Sequence, residues 1–171
     1  MGNYTDYIKS LAAINKSYAT ADICLKQYLD KNKICYTVEA KYHSAFSTNY
    51  YCISFCNTAF AVTINEQSPV AFIQGGFGNF EVLGFIDVNT TAFSYRKMGW
   101  SKERAILLCN RFNENVSVYG AGLAVADEEH IILHASYLYT DINSVPLLVM
   151  YGIRDVNSLL EIFKGFLVTD N

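Results

Sequence analysis

The sequence predicts an α+β fold: an antiparallel sheet of about five strands packed against helices, in the order α-β-β-β-α-β-β-α. Three observations carry that prediction. Apolar residues recur at helical spacing near the start of the chain and again from residue 101. Between these stretches they alternate as in strands or gather in short β-branched and aromatic runs. After the second helical stretch, two apolar strands flank the acidic turn Asp127-Glu128-Glu129, and a helical stripe closes the chain.

The elements follow in order. Tyr4, Ile8, Leu11 and Ala12 sit at helical spacing over 4–16, and Ala21, Leu25, Tyr28 and Leu29 repeat it over 20–32. Thr20 suits an N-cap and Asn32 a stop. Ile34, Tyr36 and Val38 then alternate with Cys35, Thr37 and Glu39. Residues 50–56 and 59–65 read as a hairpin through a short link at Asn57-Thr58. Val70–Ile73 is a further strand candidate, and the segment 80–88 fits a strand or a short helix equally. Ser101 is a natural N-cap, and Ala105, Leu108, Cys109, Phe112 and Val116 form one apolar stripe behind it. Asn113 and Asn115 suit the end of that helix. The hairpin strands are 118–125 and 130–139. On the first, Tyr119, Leu123 and Val125 share one face, and Gly120, Gly122 and Ala124 the other. Small residues on a strand face let a helix or another backbone approach closely, so this face is expected to pack on the chain's own helix, with a binding groove as the alternative. Asn143 or Ser144 starts the last helix, with interruptions expected at Gly152 and Arg154-Asp155. No linker composition or internal repeat divides residues 1–171, so they read as one domain.

Composition narrows the function. The net charge is −3 and no basic residues cluster, so the footprint of a nucleic-acid binder is missing. The start, Met1 to Asp6, has neither the basic residues nor the apolar run of a signal peptide. Asp6 breaks the pattern for myristoylation, and no apolar segment is long enough to span a bilayer. Charged residues make up 17% of the chain, against 13 Tyr and 11 Phe, which fits either some aromatic surface at an interface or simply a Tyr-rich core and rim. The five cysteines, Cys24, Cys35, Cys52, Cys56 and Cys109, are odd in number and lack CxxC spacing. They read as free, buried thiols in a reducing cytosol, with Cys52 and Cys56 on one strand face.

Candidate chemistry is sparse. His130 and His134, with Asp127 and Glu128 nearby, could ligate a metal, but they straddle a turn and read better as a surface pair. The Gly75-Gly76-Phe77-Gly78 loop lacks the spacing of a nucleotide fingerprint. A Cys–His nucleophile pair would need Cys52, Cys56 or Cys109, and Cys109 lies on the apolar stripe, where burial makes a thiol inert. No pair of carboxylates stands in a setting that would separate their pKa values. No catalytic, cofactor or metal residues are therefore assigned. Trp100 is read first as a staple closing the start of the helix and second as an interface residue. Ile106 and Leu107 project beyond the stripe the core needs, and with Trp100 they are the candidates for partner contact.

The helix ending LLCNRFNENV and the hairpin VYGAGLAVADEEHIILHASYLY carry a family likeness. Over roughly residues 20–165 the chain resembles type III secretion chaperones and the bacterial YbjN-like proteins. In YbjN-like proteins an Asn-rich helix end similarly leads into a hairpin with an acidic turn. Asn110, Asn113, Asp127 and Glu128 occupy those places here, while the segment 66–100 is longer than that pattern needs. The resemblance implies a non-enzymatic, often dimeric, cytoplasmic bacterial protein that binds other proteins or regulates. The expected function is thus protein binding, with a homodimer as the expected assembly. The rivals are a small-molecule binder or an enzyme with a pocket built from distant residues, and an immunity protein. A closed pocket with convergent polar groups would favour the second of these readings, and an open apolar sheet face the first.

Overall fold

The computed structural model describes residues 20–43, 46–66, 83–116 and 122–169. The expected helix over 4–16, the strand at 70–73, the glycine loop at 75–78, and Tyr119 and Gly120 lie outside these residues.

The first described helix, α1 (Ala21–Lys31), forms where expected. Thr20 Oγ1 accepts from Ile23 N–H at 3.3 Å. At the other end Lys33 N–H donates to Asp30 C=O and Ile34 N–H to Leu29 C=O. This double closure is a Schellman motif, and it puts Lys33 in the left-handed region at φ 54°. Asn32 is the C-cap and does not itself take the left-handed conformation.

Four strands follow: β1 (Tyr36–His43), β2 (Phe46–Phe55), β3 (Thr58–Glu66) and β4 (Gly84–Ser94). The β2–β3 turn is Cys56-Asn57, one residue earlier than expected, with both residues at positive φ (48° and 60°) and Phe55 opposite Thr58. Two left-handed residues in a two-residue loop make a type I′ turn, whose twist matches that of the strands. Cys56 therefore lies in the turn and not on a strand face with Cys52.

The helix α2 (Lys102–Val116) starts at Ser101, whose Oγ accepts from Arg104 N–H at 3.3 Å. The hairpin is β5 (Gly122–Ala126) and β6 (His130–Tyr139). A single 3-10 turn, Ile142–Ser144, capped by Asp141, leads into α3 (Val145–Thr169). That helix runs unbroken through Gly152 and Arg154-Asp155, against expectation. Gly152 is there for proximity: a Cβ on it would lie 2.6 Å from Val88 Cγ2 and 3.0 Å from Tyr137 Cε2. Close packing on the sheet outweighs the low helix propensity of glycine.

The six described strands form one antiparallel sheet in the order β1-β2-β3-β4-β6-β5. The strand beyond the expected five is β4, in the segment where periodicity could not choose. Inward positions alternate along β2, β3, β4 and β6: Tyr51 and Ile53, Phe60, Val62 and Ile64, Ile86 and Val88, Ile131, Leu133 and Ala135 are all buried. They form one core with Leu25 and Leu29 of α1, Phe112 of α2, and Val149, Ile153 and Phe163 of α3. Each fully buried aliphatic or aromatic side chain of this kind contributes about 1.5–3 kcal/mol. Phe112 meets Phe163 edge-on at 4.8 Å between centroids. A register shift between Thr91 and Phe93 changes the phase of β4 and turns Phe93 inward, where it reaches Trp100 and Phe163. The Tyr137 hydroxyl donates to Asp155 Oδ2 at 2.7 Å and ties β6 to α3. Burial first, and that carboxylate second, push the Tyr137 phenol above its usual range.

All the described helices lie on this one side, so the architecture has two layers. The small-residue face of β5 packs on the chain's own helices as expected. A Cβ on Gly122 would run into the Leu159 side chain of α3, and Ala124 is held by Asn113 of α2.

Candidate partner-binding surface

Strand alternation that buries one set of residues turns the other set outward. Register aligns that outer set into rows. One row crosses the sheet as Leu123, His134, Asn89, Ala61, Cys52 and Thr37. A second holds Ser136, Asp87, Thr63, Tyr50 and Glu39, with Ser136 Oγ donating to Asp87 Oδ1. Among the described residues no helix covers this face.

Its chemistry is uneven. The centre and the β1–β3 side are mostly short and polar. At the β5–β6 end, Leu123 and Val125 stand 45% and 46% exposed beside Ile132, opposite Val125, which is half-buried. Leu138, 57% exposed, lies opposite half-buried Phe85 at another corner. Leucine and valine at these exposures on a strand face keep apolar area in water that the core could not use. The sequence marked Leu123 and Val125 as sharing a face but gave no reason to expect that face to remain uncovered. Ile132, Leu138 and Phe85 escaped notice because alternation alone does not say which face a second layer will cover.

The three residues expected to contact a partner are split by the fold. Ile106 is 42% and Leu107 63% exposed on α2. Trp100 is only partly exposed and packs against the core. Its ring meets Phe93 edge-on at 5.4 Å, and the Arg104 guanidinium lies 4.0 Å from its centroid. These contacts give Trp100 a local anchoring role at the start of α2.

The acidic turn is engaged in structure. Asp127 Oδ1 accepts from the backbone N–H groups of Glu129 and His130. Glu128 pairs with Lys102 Nζ at 2.5 Å, and this carboxylate holds the Lys102 ammonium above its usual range. Arg96 Nε donates to Glu128 C=O and the Tyr95 hydroxyl to Asp127 C=O, both at 2.9 Å. His130 Nδ1 lies 3.7 Å from Asp127 Oδ1, while His134 sits four residues further along the same strand face. Among the described residues no three His, Cys, Asp or Glu side chains converge as a metal site would need.

The thiols divide as the fold dictates. Cys109 is buried on α2, and burial pushes it up to about 11. Cys35, Cys52 and Cys56 are exposed, a correction to the expectation of buried thiols, because they fall on the uncovered face or in the turn. Cys52 shares its row with His134 but is three strand spacings away, about 14 Å, too far for a nucleophile–base pair.

The sequence matches no family model, and no curated protein matches it closely enough to assign a relative.

Proposed function

We propose that the chain is a non-enzymatic, chaperone-like or regulatory protein that binds a protein partner through the outer face of its sheet at the β5–β6 end. In this reading it works as a homodimer in a bacterial cytoplasm. The observation that carries the binding function is the sheet face that no described helix covers, with Leu123 and Val125 nearly half exposed beside Ile132. An apolar patch rimmed by polar residues is the form that protein-contact sites take. The resemblance to secretion chaperones and YbjN-like proteins points the same way. Three exposed free thiols fit a reducing compartment.

The test is capture of bound protein from the cells that make the chain, with the wild type beside Leu123→Thr/Val125→Thr. Threonine keeps the β-branched strand preference while removing apolar surface. The wild type recovers a defined partner and the double variant loses it. Equal recovery by both, or none by the wild type, overturns the assignment. Loss with Ile106→Glu alone would move the contact to α2.

A further inference from the structure

Two of the exposed thiols are brought together by register. Cys52 stands opposite Thr37. Two residues before Thr37, Cys35 stands beside Ser54, whose N–H donates to the Cys35 C=O at 3.1 Å. Their neighbours Tyr36 and Ile53 pack inward, so both thiols are on the outer face, and both are exposed. Cys35 and Cys52 are therefore diagonal neighbours across β1 and β2, with only the short side chains of Thr37 and Ser54 at the other corners.

Distance decides what such a pair can do. Diagonal neighbours lie about 7–8 Å apart at Cα and somewhat closer at Cβ. A disulfide needs Cα atoms within about 6.8 Å and Cβ atoms about 3.8 Å apart, so the pair is too wide to oxidise without moving the backbone. Two metal–thiolate bonds of about 2.3 Å each bridge sulfurs about 4.6 Å apart. The two Cβ–S bonds, leaning toward each other, close the remaining gap.

The position is also held before any ligand arrives. Ile34 N–H is fixed to Leu29 C=O at the end of α1, and the Tyr36 hydroxyl donates to Asp30 Oδ1 at 3.0 Å. These bonds set Cys35 from both sides.

We propose that Cys35 and Cys52 form a two-thiolate site for a soft monovalent cation of the copper(I) class. Thiolates select soft ions. Zinc takes four ligands, and no third convergent ligand stands among the described residues. Copper(I), with its filled d shell, accepts two sulfurs in line. As each sulfur binds, its thiol releases a proton to water, and the metal keeps its oxidation state.

Competition of the reduced full chain with the copper(I)–bicinchoninate complex tests this, under argon, with thermal unfolding as the check that each variant folds. The wild type withdraws one copper per chain and bleaches the complex. Cys35→Ser and Cys52→Ser each lose that withdrawal, and Cys56→Ser keeps it. A wild type that leaves the complex coloured overturns the proposal. So does equal withdrawal by all three variants, which would mean scattered single thiols, or loss with Cys56→Ser. Equally tight binding of zinc would require further ligands and would overturn the two-thiolate assignment.

Discussion

Asn113 closes the β5 edge by bonding both backbone groups of Ala124: its Nδ2 donates to the carbonyl at 2.9 Å and its Oδ1 accepts from the N–H at 2.7 Å. The side-chain amide does what a neighbouring strand would do for that residue. Asn113→Ala leaves a part-buried donor and acceptor unpaired, a loss of about 1–3 kcal/mol. Asn113→Asp keeps the acceptor but sets a carboxylate against a carbonyl, and should be at least as damaging. Urea unfolding measures both, and an alanine variant as stable as the wild type would dismiss the edge-closing role.

Two glycines of α3 make an internal comparison. A Cβ at Gly152 meets Val88 at 2.6 Å, whereas at Gly165 nothing lies within 4 Å. Gly165→Ala should stabilise by about 0.5–1 kcal/mol, from helix propensity alone. Gly152→Ala gains the same propensity but is expected to lose about 1–3 kcal/mol through overpacking. Calorimetric melting temperatures should therefore move in opposite directions.

The β2–β3 turn offers a gain in stability. Cys56 and Asn57 both hold positive φ, a conformation that Asn and Gly adopt more readily than Cys. Cys56→Asn/Asn57→Gly should stabilise by about 1 kcal/mol, and Cys56→Val should destabilise because a β-branched residue resists the left-handed region. Equal melting points for the two would argue against the type I′ assignment.

These sites also show what the sequence disclosed. Helices and strands with strong periodicity were legible: Thr20 and Ser101 cap the helices they should, and the stripe from Ala105 to Val116 is buried. Positions set by tertiary contact were not. Gly152 looked like a break because propensity is local, while its reason is Val88 across the layer. Asn113 looked like a helix end, while its reason is Ala124 on a strand eleven residues away. The strand β4 was ambiguous because a short apolar run fits either element until its neighbours β3 and β6 select one. The partner surface was only half legible. Ile106 and Leu107 do stand out from α2, but that no described helix covers one sheet face is a property of how layers stack.

Thiol chemistry should follow exposure. Cys35, Cys52 and Cys56 are exposed, Cys24 is intermediate, and Cys109 is buried and pushed up to about 11 by burial. Near neutral pH a disulfide-exchange reagent should modify the exposed three rapidly and Cys109 only on unfolding. All five should titrate in denaturant. Because burial raises the folded value of Cys109, its stabilisation is present below the unfolded thiol pKa, about 8.5, and is lost as pH rises through the folded value. Rapid native labelling of Cys109 would contradict its place in the core.

Acid should act on the turn at Asp127. Burial pushes this carboxyl up, but the N–H groups of Glu129 and His130 and the charge of His130 outweigh it and hold the carboxyl below its usual range. A depressed folded value means stability that is present above the unfolded pKa of about 3.9 and lost as pH falls through the folded one. The side chain is 42% exposed, so solvent screening limits the effect to under about 1 kcal/mol. Asp127→Asn keeps an oxygen to accept both N–H groups but carries no charge to titrate. The wild type should therefore melt slightly higher than Asp127→Asn at neutral pH, and the gap should close below about pH 4. Asp127→Ala loses the turn bonds as well and should be lower at every pH, by about 1 kcal/mol. Melting curves collected from neutral to acid pH test this, and a constant gap between wild type and Asp127→Asn would show that the Asp127 charge contributes nothing.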